Sequence, residues 1–351
     1  MQTVTVQQLE AYIERCLVAV GLPETDARIV AELMAEADLS GSDGHGVFRL
    51  PQYVKRVRSN GIKVDPNIQT VKDNGAMVLV DGDDGMGHLV MHHATEIAIA
   101  KAAEHGVGWV GIRHGNHAGP AALYAKMPMR HDMIGIYIAV GSANHLPPWG
   151  GTELLLSTNP IAVAVPAAEE PAIVLDMATT VAAYGKVKTA AQRGEQMPEG
   201  WMMDKFGNPL TDPTRAAEGF LLPIGGAKGY GLALIFGLLA GTLNGAAFGR
   251  EVVDFNADSR SSTNTGQMVV AVSIEAFMAV DEFKRKVDAV IHSMHASPTL
   301  PGVDAVRVPG ERSHAIRVER ERSGIPIYPG LAEKLAELAS ELGVESLFAA
   351  D

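Results

Sequence analysis

The chain has 351 residues, 47% of them hydrophobic and 20% charged, the balance of an ordinary globular protein with room for two domains sharing an interface. Its 29 Lys and Arg against 41 Asp and Glu leave a formal charge of −12, and with no basic run this argues against nucleic-acid binding. A lone cysteine, Cys16, excludes an internal disulfide framework and a cysteine metal site, and no apolar stretch approaches a bilayer span. The N-terminus has neither a basic n-region nor an apolar h-region, so the expected location is the cytoplasm.

Residues 1–61 read as helices. Thr5-Val-Gln-Gln8 fits a capping box, and Leu9, Tyr12, Ile13, Cys16, Leu17 and Val20 follow helical spacing up to Gly21. Pro23 opens a second helix with Ile29, Val30, Leu33, Met34 and Ala37 on one face, and Pro51 to about Asn60 predicts a third. From about residue 67 short apolar strands are expected at 77–80, 107–112, 134–140, 161–165, 173–175 and 268–272, with helices over 88–105, 119–130, 180–191 and 227–244 between several of them. That alternation predicts an α/β domain over 67–299. Pro329 to Gly343 is again amphipathic, through Leu331, Leu335, Leu338 and Leu342, so residues 1–66 and 300–351 are expected to form one helical domain from both termini.

Two glycine-flanked histidines carry the chemistry. His117 lies in Gly115-Asn-His-Ala-Gly119, on a turn between a strand and a helix, where an imidazole can be approached closely and titrates near neutrality. His45 lies in Gly44-His-Gly46, in the loop between the second and third helices, and is followed by Arg49 and Tyr53. A guanidinium offers a planar fork that matches a carboxylate, so Arg49 suits a small 2-oxo or 2-hydroxy acid. Either histidine could be the acid/base.

Other motifs have two readings. Gly106-Val-Gly-Trp-Val-Gly111 matches G-x-G-x-x-G, but a helix precedes it, so Gly106 reads as that helix's C-terminal cap and 107–112 as a strand. Gly225-Gly-Ala-Lys228-Gly229 opens an apolar helix and is either a phosphate seat or a glycine-rich turn with a solvated lysine. His88 and His92 have the spacing of a metal pair but no third ligand, and are expected to be solvated. Asp176, just past a strand, either orients a partner or caps the following helix. Trp149 in Pro147-Pro-Trp-Gly-Gly151 could stack on a flat ring or cover the core.

Taken in order, Gly41-Ser-Asp-Gly-His-Gly-Val-Phe-Arg-Leu-Pro51, Gly115-Asn-His-Ala-Gly119, Ser157-Thr-Asn-Pro160, Asp176-Met-Ala-Thr-Thr180, Pro198-Glu-Gly-Trp201, Gly226-Ala-Lys-Gly-Tyr-Gly-Leu232 and Pro309-Gly-Glu311 resemble the type-2 malate/L-lactate dehydrogenase family. That family includes ureidoglycolate, sulfolactate and diketogulonate dehydrogenases and cyclic-imine reductases. The resemblance implies an α/β, non-Rossmann nicotinamide-binding domain with a mixed sheet, NAD or NADP as cofactor, a small carboxylate substrate and a homodimer. It places His117 as proton acceptor, His45, Arg49 and Tyr53 on the substrate side, and Ser142, Asp176, Met177, Ala178, Lys228, Gly229, Gly266, Pro309, Gly310 and Glu311 around the cofactor. The implied reaction is hydride transfer at C2 of a 2-hydroxy or 2-oxo acid, with reduction of a cyclic imino acid as the alternative. Gly44 departs from the family's usual Ser-His-Gly, and Gly141-Ser-Ala-Asn-His145 from its usual Thr-Asn pair.

Overall fold

The computed structural model describes residues 2–348. The first third runs through β1 (Gln2–Val4), α1 (Val6–Ala19), α2 (Glu24–Leu39), α3 (Leu50–Arg58), β2 (Gln69–Asn74), β3 (Met77–Asp81), α4 (Gly87–His105) and β4 (Val107–Gly115). The middle adds α5 (Ala122–Lys126), β5 (Met133–Ala139), β6 (Ile161–Val165), β7 (Ile173–Met177), α6 (Tyr184–Arg193), β8 (Met202–Asp204) and β9 (Gly219–Leu221). The chain finishes with α7 (Ala227–Ala240), β10 (Thr265–Ser273), α8 (Val280–His295), α9 (Glu311–Ser323), β11 (Ile325–Ile327) and α10 (Pro329–Leu342).

Among the described residues the central sheet is seven-stranded, ordered β2-β3-β4-β10-β5-β6-β7. Only β3 and β4 are parallel, joined by the crossover helix α4; the other pairs are antiparallel, so the sheet is mixed. Alternation along β10 serves both faces. Val269 and Ala271 join the core under α4 and α5, whereas Met268 and Val270 join Phe236 and Ala240 of α7.

The terminal helices form a second core. Leu9, Tyr12, Ile13, Val30, Met34, Tyr53, Leu335 and Leu338 bury together, and β1 pairs antiparallel with β11 to bring the two ends of the chain side by side. The capping box at Thr5 is present in full, with Gln8 N–H donating to Thr5 Oγ1 at 3.2 Å and Thr5 N–H to Gln8 Oε1 at 2.8 Å. Cys16 is buried in this core.

Several expectations need correction. Beyond Lys126 the expected helix over 119–130 becomes a 3-10 turn, Met127–His131, where Pro128 removes a donor. Residues 2–4, 69–74, 202–204, 219–221 and 325–327 are strands, and 280–295 and 311–323 are helices, none of which the periodicity announced. The short strands are too brief to show a period of two, and α9 buries no residue fully and so has no apolar stripe. Gly106 caps α4 in the left-handed region (φ 81°), as expected. Gly108 and Gly111 allow close packing: a Cβ on either would strike the Ala98 carbonyl or the Asn244 amide.

Tyr12 ties the terminal helices directly, its buried hydroxyl donating to the Leu335 carbonyl oxygen at 2.6 Å. Tyr12→Phe removes this link between the two ends, although the carbonyl keeps its bond within α10, and is expected to destabilise the fold by about 1 kcal/mol, read as a lower urea midpoint at unchanged slope.

Candidate active site

One helical stripe builds most of the site. Arg49, Gln52, Tyr53 and Arg56 follow i, i+3, i+4, i+7 spacing at the start and along α3, and all four meet the segment 255–261, which arrives from two hundred residues away. Arg49 Nη1 donates to Asn256 Oδ1 at 2.9 Å and Gln52 Nε2 to the Phe255 carbonyl oxygen at 2.9 Å. Arg56, fully buried, donates to the carbonyl oxygens of Phe255 (3.3 Å), Ser261 (2.7 Å), Gly61 (3.2 Å) and Asp258. Its guanidinium lies 4.7 Å from the Phe255 ring centroid.

His117 sits where β4 ends. Tyr53 Oη and His117 Nδ1 are 2.6 Å apart, and the rings of Phe255 and His45 lie 5.3 and 5.7 Å from the imidazole, His45 parallel to it. With Nδ1 engaged by a hydroxyl that can donate or accept, Nε2 is left to face a reacting group. The His45 loop is set by Asp38, whose Oδ2 accepts from Val47 N–H at 2.7 Å and whose carboxyl occupies the space a Cβ on Gly46 would need. Burial pushes that carboxyl up to about 8.

A cleft of about 1690 Å³ runs from His45 and Gly119 between α2, α5, the end of β7 and α9. Asp176, Met177, Ala178, Pro309 and Gly310 line it, so five of the expected cofactor residues share one wall. Its volume exceeds the 300–1,000 Å³ or so of pockets for drug-sized molecules, which fits a dinucleotide. Asp176 lies within β7, and its Oδ2 accepts from Ala122 N–H at 2.9 Å, capping α5 instead of the following helix. Its carboxylate faces the cleft yet is flanked by protein, and that desolvation raises its pKa.

Other expected residues lie elsewhere. Lys228 is exposed on the first turn of α7, whose N-terminus abuts the end of β7 through Ile224 N–H donating to the Thr179 carbonyl oxygen at 2.9 Å. Gly229 packs on the Ile224 backbone and Gly266 on that of Ala240 and Gly241; neither lines the cleft. Ser142 joins the site through its backbone, its carbonyl oxygen accepting from Phe255 N–H at 2.9 Å. Glu311 pairs with His295 of α8. Trp149 is 58% exposed, with its ring edge against Gly226.

The profile of the malate/L-lactate dehydrogenase family matches residues 4–336. The chain belongs to that family. It is 40% identical over 324 residues to the L-sulfolactate dehydrogenase of Methanocaldococcus jannaschii, covering 92% of each chain. To the malate dehydrogenase of Pyrococcus horikoshii it is 37% identical over 348 residues, covering 97% of this chain and 95% of that one. The solved structure of sulfolactate dehydrogenase from M. jannaschii superposes with a TM-score of 0.91 at 38% identity, covering 98% of both chains. Membership makes the chain an oxidoreductase acting on 2-hydroxy or 2-oxo acids by hydride transfer.

In this dehydrogenase Gly44 is not imposed by its surroundings. Its backbone is outside the left-handed region, and a Cβ there meets nothing within 4 Å, so the family's serine would fit. His88 corrects the expectation of a solvated residue. α4 begins against the backbone of Asn116 and His117, which turns His88 into the core, edge-on to Tyr53 at 5.4 Å, with both ring nitrogens unpartnered. Phe255, Asn256, Gln52 and Arg56 are site residues the sequence reading missed. The stripe from Arg49 to Arg56 was visible in the spacing; the arrival of 255–261 was not.

Burial, reinforced by Arg49, lowers His45 to about 4 and holds His117 well below 6.5, and burial lowers His88 to about 3. All three are therefore neutral at pH 7. The unfolded chain takes up protons near pH 6.5 where the folded protein does not, so stability is full above that pH and lost below it. Each histidine contributes about 1.4 kcal/mol per pH unit to the fall. Urea midpoints measured from pH 7 to pH 5 are expected to drop steeply, and less so in His88→Phe.

Proposed function

We propose that this dehydrogenase transfers hydride between C4 of NAD or NADP and C2 of a small 2-hydroxy or 2-oxo carboxylic acid. What carries this reading is the arrangement of Tyr53, His117 and Arg49 next to His45 and Gly119, which line one end of the cleft. When bound, the nicotinamide supplies the hydride acceptor or donor. Asp176, Met177, Ala178, Pro309 and Gly310 would hold the dinucleotide along the cleft wall.

Arg49 clamps the substrate carboxylate through the free end of its fork, which fixes C2 for reaction. During oxidation His117 Nε2 takes the proton from the C2 hydroxyl as hydride leaves C2. The imidazolium so formed donates from Nδ1 to Tyr53 Oη and later releases the proton to solvent. A neutral imidazole is the form this direction needs, and enclosure beside Arg49 keeps it neutral. His45, stacked on His117, orients the substrate.

The homodimer reading is supported by α7. This helix is apolar on every side, and Leu232, Ile235 and Leu238 are 41%, 51% and 39% exposed along it.

A panel of 2-hydroxy acids assayed with each cofactor identifies the substrate. On it, His117→Ala is expected to lose about 100-fold or more in turnover, and near-normal turnover would sink the assignment. For the wild type the acid limb of kcat/KM for oxidation is expected below pH 6.5. Ile235→Lys is expected to convert dimers to monomers in light scattering.

A further inference from the structure

A clamp for a carboxylate works through charge, and three other partly buried arginines spend theirs on protein carboxylates. Arg320 pairs with Asp43 at 2.5 Å, Arg113 with Asp81 at 2.9 Å, and Arg317 with Glu36. Arg49 is held another way. Its Nε donates to the Gly44 carbonyl oxygen at 3.0 Å and its Nη1 to Asn256 Oδ1 at 2.9 Å. Both acceptors are neutral, and no carboxylate among the described residues lies within ion-pair distance of this guanidinium. The nearest acids of the same segment are folded onto their own backbone. Asp254 accepts from the N–H groups of Asn256 (2.8 Å) and Ala257 (3.1 Å), and Asp258 from those of Arg260 (2.8 Å) and Ser261 (3.0 Å).

The amide is also placed firmly. Asn256 follows Phe255, whose carbonyl oxygen is held by both Gln52 and Arg56 and whose N–H is held by Ser142. An amide oxygen orients a guanidinium much as a carboxylate does, without cancelling its charge. With Nε and one Nη1 hydrogen engaged, the second Nη1 hydrogen and both on Nη2 remain as a fork for two parallel bonds to an incoming carboxylate.

We propose that Asn256 is the positioning residue of Arg49: it aims the guanidinium at the substrate carboxylate and, being neutral, leaves the charge available to it. This rests on Arg49 being the carboxylate clamp. The test uses oxalate, a two-carbon analogue of the 2-oxo acid head, titrated into the full-length protein with NADH and, in parallel, with NADPH. Arg49→Ala is expected to weaken oxalate binding by about 100-fold, Asn256→Asp by roughly 30-fold or more, and Asn256→Ala by less than about 10-fold. The ordering is the diagnostic. Asn256→Asp keeps the shape and adds a charge on Nη1, so a merely structural asparagine would make it the milder change, whereas a charge-sparing one makes it the harsher. On the best substrate, Asn256→Ala is expected to raise KM with kcat within about threefold of wild type. Asn256→Asp binding oxalate as well as Asn256→Ala, or a loss confined to kcat, overturns the role of Asn256 while the clamp stands. Unchanged oxalate affinity in Arg49→Ala overturns the clamp and the inference together.

Discussion

Arg56 is the interaction on which the site depends. A fully buried guanidinium is costly to desolvate, and here four carbonyl oxygens and the face of Phe255 offset that cost. Three of those carbonyls belong to the segment 255–261, so one side chain of α3 fixes a stretch of backbone that has no regular structure of its own. Phe255 is thereby held against Tyr53 and His117, and Asn256 against Arg49. His117 and Arg49, the proposed acid/base and carboxylate clamp, are registered to each other through this single anchor.

Electrostatics follow from the same packing. Tyr53 and His88, fully buried, and His45 and His117, half-buried, crowd around one another beside the Arg49 cation. Protonation of any imidazole there would add a positive charge near Arg49, so burial and Coulomb repulsion favour the neutral rings together. A neutral imidazole and a guanidinium held by neutral acceptors are therefore two features of one arrangement. The glycines nearby answer to space: Gly46 gives way to the Asp38 carboxyl, and Gly119 (φ 76°) turns the chain past the His88 ring.

Much of the fold was legible because it is periodic. The first two helices and α10 carry apolar residues at 3.6-residue spacing, the strands β4, β5 and β6 are short apolar runs, and the expected bounds of all six agree with the structure to within a few residues. Elements without such a stripe were silent, as α9 and the three-residue strands show. His45, His117, Arg49 and Tyr53, singled out by local signals (glycine flanks and a guanidinium near an imidazole), are brought together in the candidate site. His88 was misjudged since its burial comes from how α4 abuts the 116–117 turn, which no spacing on α4 reports.

By itself, then, the sequence determined the alternation of helix and strand, the pairing of the two chain ends in one helical core and the residue types for acid/base and anion chemistry. It also disposed of the false fingerprint at Gly106–Gly111, since the helix before it was already visible. The tertiary structure alone decided which nitrogen of His117 is engaged, which arginine keeps its charge and which is buried, and how Asp176–Ala178 and Pro309–Gly310 come to line one cleft. Those outcomes depend on contacts between residues 64 to 207 apart in the chain, set by packing and desolvation that local composition does not encode.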